Sequence, residues 1–385
     1  MKFLPLILKN LLRKKTRSFL TIASILMPLF VICFLGTLLT TLASDPTGGK
    51  GMFRLMVRHK VSLTNWIPEA YGPKIKQVPG VVDLVKMNWF GGSYIDQSPQ
   101  NQFARFSCEP EGFLRIFDEA TIVGGTAQDW INDRSGVLVG ELLMKKYKWK
   151  VGQKITFKGD IYPINVELTI RAVFKAPDES GVYFNHKVLE EGLPRVKGYV
   201  GWYWLKVNSV QATQTVPKQI DALFENADPP TKTETEKEMQ NGFISMLGNV
   251  KLMLSSMAIA IVILILFIAA NTMAMAARER VTEIAVLRTL GFQKSTILGL
   301  IVGESVCLAL FGGLLGLAVF VALFPGFRTV LLYSPMAGFA AGMKIFPEVL
   351  LLGFGVAVFV GLLAGVIPAY RSSRRSIPDG LRQVG

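Results

Sequence analysis

The residues of this 385-residue chain best suited to metal binding or nucleophilic chemistry are two histidines and three cysteines, and their placement argues against both. His59 and His186 have no partner at a recognisable metal-ligand spacing. Cys33 and Cys307 lie inside long apolar runs, and Cys108 stands alone in the stretch between, which therefore has no internal disulfide. The only Gly-Lys beside a glycine cluster, TGGKGM at 47–52, lacks the spacing and the hydroxyl of a phosphate-binding loop. No catalytic residue and no metal site is assigned. The remaining chemistry is recognition, concentrated in RERVTEIAVLRTLGFQK at 278–294. Arg278, Glu279, Arg280, Glu283 and Arg288 supply charge, Val281, Ile284, Ala285, Leu287 and Leu290 supply an apolar side, and Gly291 supplies a helix stop. Such a segment docks on a membrane or a partner through its apolar residues and reads the partner with its charges. On residues alone, a solvated turn fits it as well.

Four runs position this segment: Ser18–Ala43, Leu252–Ala277, Thr296–Phe324 and Val349–Ala369. None holds Lys, Arg or Asp, and Glu304 is the one acid among them. Each reaches the roughly 20 apolar residues a helix needs to cross a bilayer core, and in lipid such a run must be helical to satisfy its backbone. The first run is too long for a typical signal-peptide core and is expected to be a retained anchor. The net charge of +14 does not point to nucleic acid, because residues 44–250 hold 25 basic and 23 acidic side chains and are nearly neutral. The surplus flanks the runs: Lys2, Lys9, Arg13, Lys14, Lys15 and Arg17 before the first, Arg278, Arg280, Arg288 and Lys294 between the second and third, and Arg371, Arg374, Arg375 and Arg382 after the fourth. By the positive-inside rule both termini and the 278–295 loop are cytoplasmic.

The expected fold is a membrane protein with four transmembrane helices and a large α+β extracytoplasmic domain between the first and second. Residues 1–17 form a cytoplasmic amphipathic elbow helix, with Leu4, Ile7, Leu8, Leu11 and Leu12 on one face. The outer domain, 44–234, consists of two α/β pieces enclosing a β-rich lobe at about 105–175. INVELTIRA at 164–172 alternates as a half-buried strand, KITFKG, GYVGWYWLKV and VVDLVKMNWF read likewise, and helices are expected near Glu69–Gln77 and Pro217–Asn226. With no proline between Pro230 and Pro325, one helix is expected over 235–277, a stalk and span of about 60 Å at 1.5 Å per residue. The plan continues with a hairpin segment at 278–295, a span at 296–324, an outer loop at 325–348, a span at 349–370 and a cytoplasmic tail at 371–385. Gly312, Gly313 and Gly316, and the G-x-x-x-G pair Gly361 and Gly365, mark close helix packing, within one chain or between two. Glu304 is expected to snorkel or to pair with a basic residue.

The stretch 271–316 resembles the signature region of FtsX-like permeases, the family that includes MacB, LolC and LolE. Glu279, Arg280, Glu283, Ile284, Leu287, Arg288, Leu290 and Gly291 match its E-R-x-x-E-I-x-x-L-R-x-L-G core, and Glu304, Gly312, Gly313 and Gly316 match the following helix. IPAYRSSRRSIPDGLRQVG resembles the family's C-terminal end, and GVLVGELLMKKYKWKVGQKITFKG at 136–159 the outer domain of MacB-type members. The resemblance implies the permease subunit of a type VII, mechanotransmission ABC transporter, not itself an enzyme. In that picture 278–294 is the coupling helix seated on a separate ABC ATPase, which the absence of a fused nucleotide-binding domain implies. No cofactor belongs to this chain, and ATP and Mg sit on the partner. A second permease chain is implied, as a homodimer in preference to a heterodimer, along with membrane lipids and a periplasmic adaptor in the efflux case. Location is the bacterial inner membrane. Efflux or envelope transport leads. An FtsX-like signal relay to an extracytoplasmic hydrolase and LolC/LolE-like lipoprotein extraction are the alternatives.

Overall fold

A computed structural model describes residues 15–44, 49–246, 248–279, 281–334 and 336–373. The elbow helix expected over 1–17 and the tail from 374 onward lie outside or almost outside these residues. Among the described residues four helices are long and apolar enough to cross a membrane: Phe19–Ala43, Val250–Glu279, Lys294–Leu332 and Pro347–Tyr370. They divide the chain into two compact units.

The first unit holds the four helices up to Gly326 and from Lys344. Its interior is a seam of Ile25, Ile32, Ile265, Ala269, Ala309, Val360 and Ala364, so each of the four helices contributes to it. Small residues set the spacing. A Cβ added at Gly312 would lie 3.0 Å from Ile25 Cβ, and one at Gly316 would lie 2.9 Å from the Leu26 carbonyl oxygen, both on the first helix. A Cβ at Gly313 would lie 2.6 Å from Ala357 Cβ. One at Gly361 would lie 2.7 Å from Ala309 Cβ, and one at Gly365 would lie 2.8 Å from Ser305 Cβ. All five glycines therefore sit against helices of their own chain, where lipid offers no hydrophobic drive and close contact supplies the attraction.

The second unit is residues 44–248 with Phe327–Met343. An eleven-stranded mixed sheet runs Thr231–Thr235, Arg54–His59, Trp202–Val207, Val81–Trp89, Ala104–Cys108, Gly181–Asn185, Gly136–Gly140, Asn165–Lys175, Lys154–Gly159 and Gly92–Ser93, with Thr121–Gly125 also on Asn165–Lys175. Neighbours among the first four strands are antiparallel, and the four come from two β-α-β passes, through helices Tyr71–Lys76 and Ala212–Leu223, one before the lobe and one after it. The two α/β pieces are thus one split unit, and the lobe extends its sheet rather than forming a separate one. Alternation decides the faces. Leu55, Val57, Tyr203 and Leu205 pack with Ile75, Val216 and Ile220 of the two helices, whereas Met56, Trp202 and Trp204 point the other way onto Phe113 and Trp130. At the outer edge of the sheet Asp221 accepts the Thr233 N–H at 3.1 Å, which blunts the open strand edge.

A buried ion triad closes the base of this unit. Arg54 donates to both Glu119 oxygens, at 2.5 and 2.7 Å, and to Glu236 Oε2 at 2.9 Å. It joins the first strand, the lobe and the helix Glu236–Met246. That helix is opened by a capping box. Thr235 Oγ1 accepts the Glu238 N–H at 3.2 Å, and Glu238 accepts the Thr235 N–H at 2.8 Å.

Four boundaries differ from the expectation. The single helix over 235–277 is two helices, Glu236–Met246 and Val250–Glu279. Gly248 has φ +85, in the left-handed region that glycine enters without penalty, and Asn249 Oδ1 caps the second helix by accepting the Leu252 N–H at 3.0 Å. The third helix does not stop at Phe324 but runs to Leu332 with Pro325 inside it, as membrane helices tolerate. The outer connection contains a short helix of its own, Ala337–Ala341, and the fourth helix starts at Pro347. Helix Ala212–Leu223 begins five residues before Pro217, because Ser209 Oγ accepts the Ala212 N–H at 3.2 Å.

Candidate coupling hairpin

The second long helix continues through Arg278 to Glu279, so the segment between the second and third helices is shorter than 278–294. Its helix is Val281–Thr289. The chain then turns through Gly291 at φ +91. Gly291 N–H donates to the Arg288 carbonyl and Phe292 N–H to the Leu287 carbonyl, both at 3.1 Å. This pair of bonds is a Schellman motif, and glycine fits it because the residue just past the helix cap, here Gly291, must be left-handed. The next helix starts at Lys294.

Val281, Ile284 and Ala285 are buried, and the segment packs on the second and fourth long helices. Their i, i+3, i+4 spacing puts them on one side. Ile284, assigned to the ATPase contact by its motif position, is only 9% exposed and packs on the chain's own helices, where it holds the segment in place. The opposite face carries Glu283, Val286 and Leu290, with Leu290 71% exposed, and Leu287 and Arg288 are half-buried at its edge. Glu279 and Gly291 are exposed, and Arg280 lies outside the described residues. Val286, 46% exposed, is a member of this face that the motif did not single out. Its signal was the i+3 and i+4 spacing to Glu283 and Leu290. Glu304, two to three turns into the third helix, is buried at 6% exposure beside buried Ser305. The hairpin is therefore a small platform, bolted to the helix bundle on one side and presenting one acid and two large apolar side chains on the other.

His186, the other candidate for chemistry, lies in the core of the second unit. Its Nδ1 is 3.1 Å from Ser107 Oγ, and its Nε2 is 3.3 Å from Glu190 Oε1 without the alignment of a hydrogen bond. Burial, with Lys86 adding to it, pushes its pKa down to about 3, so the ring is neutral near pH 7. Ser107 is fully buried, which leaves no access for a substrate. Cys108 is fully buried too, and burial pushes its thiol well up, which keeps it protonated and inert.

Four membrane-length helices, a large α+β domain between the first and second, and a bolted amphipathic platform between the second and third define a polytopic membrane protein of permease type. The comparisons specify it further. Residues 255–377 match the FtsX-like permease C-terminal family. The chain carries an FtsX-like permease domain and is homologous to ABC transporter permeases, MacB among them. It is 25% identical over 321 residues to an uncharacterized ABC transporter permease of Methanocaldococcus jannaschii, covering 80% of this chain and 77% of that protein. It is 31% identical over 112 residues to the macrolide export ATP-binding/permease protein MacB of Chlorobaculum tepidum, covering 29% of this chain and 16% of MacB. For the MacB of Nitrobacter winogradskyi the figures are 28% over 152 residues, 40% of this chain and 21% of MacB. The chain thus spans about a fifth of the MacB proteins it matches. Among solved structures, the extracellular domain of the ABC-type transporter YknZ aligns at TM-score 0.37 and 13% identity, covering 47% of this chain and 98% of that domain. The periplasmic region of MacB from Actinobacillus actinomycetemcomitans aligns at TM-score 0.37 and 9% identity, covering 52% and 94%.

Proposed function

We propose that this chain is the permease subunit of an ABC transporter whose separate cytoplasmic ATPase docks on the Val281–Thr289 platform. ATP-driven closure of the ATPase moves the hairpin, and the long helices carry the movement to the outer domain, where it drives efflux or envelope transport. ATP and magnesium bind the ATPase, and two permease chains serve one pair of ATPases. The observation that carries the reading is the platform itself. Its inner face is fixed by Val281, Ile284 and Ala285, while Glu283, Val286 and Leu290 face outward. A merely solvated turn gains nothing from presenting Leu290 at 71% exposure, whereas an interface gains an apolar anchor beside a charge that sets register.

The test is co-purification of the ATPase from native membranes. Leu290→Asp removes the anchor and buries a charge, and Glu283→Lys reverses the outward acid. Each is expected to cost on the order of a few kcal/mol at the contact, so ATPase recovery falls at least tenfold while membrane levels of the chain stay normal. Gln293→Ala, just beyond the turn, leaves recovery unchanged. Normal ATPase recovery with both Leu290→Asp and Glu283→Lys refutes the platform as the docking site.

A further inference from the structure

The run Lys145-Lys146-Tyr147-Lys148-Trp149-Lys150 alternates bases with aromatics, a composition suited to a membrane-water boundary, where lysines meet lipid phosphates and amphipathic rings sit at headgroup level. In the fold it is the end of helix Glu141–Tyr147 and the turn after it, at the edge of the inserted lobe. Lys148 takes φ +53, and the rings around it form one cluster. Trp149 Nε1 donates to Tyr94 Oη at 2.9 Å, and the Tyr94 ring lies 5.1 Å from Tyr147 and 5.0 Å from Trp149. Fixing Tyr94 fixes its neighbour. Ile95 is 65% exposed at φ +65, a conformation that β-branched residues rarely take, so a large apolar side chain is held out in a polar loop. Val151 is exposed as well, at 47%.

An independent contact ties this edge to the connection that follows the third membrane-length helix. The Lys146 ammonium donates to the Tyr333 carbonyl at 3.1 Å, and Tyr333 directly follows the membrane-length helix Lys294–Leu332. The connection Phe327–Met343 belongs to the same compact unit as the lobe. Within it Arg328 spends its guanidinium on the Ala340 and Ala341 carbonyls, at 3.2 and 3.1 Å, while Phe327, Val330, Tyr333 and Met336 are exposed at 42, 69, 40 and 53%. A surface that hides its cation on backbone and shows its apolar side chains is suited to a lipid boundary. Chain parity agrees, since segments following the first and third spans must lie on the same side of the membrane. The acids nearby are mostly engaged: Glu141 pairs with Lys145 at 2.8 Å, Asp96 is held by Ser98 and Asn101, and Asp178 is held by Ser180. Glu179 lies near Lys145 as well. Lys148 and Lys150 are exposed and, among the described residues, have no ion pair or side-chain hydrogen bond.

We propose that this edge of the lobe rests on the membrane surface opposite the hairpin, with Lys148 and Lys150 binding the phosphates of anionic phospholipids and Ile95 and Val151 entering the headgroup boundary. The contact anchors the lobe to lipid. It needs no ATPase, so its test is separate from that of the docking platform.

The full chain, with its three cysteines replaced by alanine and Ile95→Cys carrying an environment-sensitive fluorophore, is placed in nanodiscs of phosphatidylglycerol or phosphatidylcholine. Both discs contain a quencher attached to the lipid headgroup. Blue-shifted emission and strong quenching are expected in phosphatidylglycerol. Both should be largely lost in phosphatidylcholine, in the Lys148→Gln/Lys150→Gln variant, and at about 0.5 M salt, where surface charges are screened within a few Å. Because both lysines are exposed, that variant keeps its fold, which the unchanged melting of the chain verifies. Solvent-like, unquenched emission in phosphatidylglycerol overturns the proposal. Quenching that is equal in both lipids and unaffected by removing the lysines overturns it too, since the contact would then not recognise an anionic headgroup.

Discussion

Replacing Arg54 by Met tests whether the base of the outer domain is held as the geometry implies. The Arg54 side chain is 2% exposed, and its two partners, Glu119 and Glu236, are 9% and 16% exposed. Methionine fills most of the same volume, so the loss is electrostatic: two largely buried carboxylates, close together, lose the guanidinium they share. Breaking a buried pair by removing one member costs roughly 3–5 kcal/mol. For a domain of this size 1 kcal/mol moves the melting temperature by roughly 2–4 °C, so a drop of about 10 °C is expected. The assay is thermal unfolding of the detergent-solubilised full chain by intrinsic fluorescence, because several tryptophans lie in the outer-domain core. Adding Glu119→Gln and Glu236→Gln to Arg54→Met removes the stranded charges and should restore at least half of the loss. Hydrogen exchange should localise the damage to Arg54–His59 and Glu236–Met246, the strand and helix that the arginine joins. A shift under about 2 °C for Arg54→Met, or a triple variant no better than the single one, would refute the reasoning.

The core histidine predicts acid sensitivity. With His186 lowered to about 3 by burial and by Lys86, the unfolded chain takes up a proton below its ordinary pKa of about 6.5 while the folded chain does not. Stability conferred by the neutral ring is therefore full above pH 6.5 and falls as pH drops toward 3, by about 1.4 kcal/mol per unit. Hydrogen exchange in Ala104–Cys108 and Gly181–Asn185 measured against pH should show that slope, and His186→Gln should abolish it. In the helix bundle, Gly361→Ala places a Cβ 2.7 Å from Ala309 Cβ and should cost about 1–3 kcal/mol through overpacking. Adding Ala309→Gly should recover most of it in a melting assay. For topology, the flanking charges predict that single cysteines at Gly125 or Lys187 react with an impermeant reagent in intact cells, whereas one at Gln293 does not. Labelling at Gln293 would reverse the orientation.

The elements legible in the sequence are those with a strong period. Uncharged runs longer than a bilayer core admit one structure, and each was found as a helix. The alternation in INVELTIRA became the strand Asn165–Lys175 because one face had to be buried, and Val166, Leu168 and Ile170 are. The boundaries that moved are those decided by one or two local bonds. Polar, helix-compatible residues before Val250 contain no proline, so composition alone favours a continuous helix. Asn249 and Gly248 break it through a cap and a left-handed turn, and neither has a hydropathy signal. Pro325 looked like an end and is inside a helix, because proline's missing N–H is less disruptive where neighbouring helices support the chain.

The hairpin shows the same limit at the level of function. Its motif names residue types, and a motif position mixes two demands that a fold separates. Ile284 and Leu290 are both apolar members of one signature, yet Ile284 is 9% exposed and Leu290 is 71% exposed. The difference arises because the helix rotates about 100° per residue and only one side meets the second and fourth long helices. A side chain that fixes the platform and one that presents it to a partner should then fail differently. Ile284→Asp should lower the amount of folded chain in the membrane, because its charge would enter the packed side. Leu290→Asp should leave that amount unchanged and remove the ATPase. Quantifying chain and ATPase in the same membranes separates the two, and equal loss of folded chain with both substitutions would show that the two faces are not distinct.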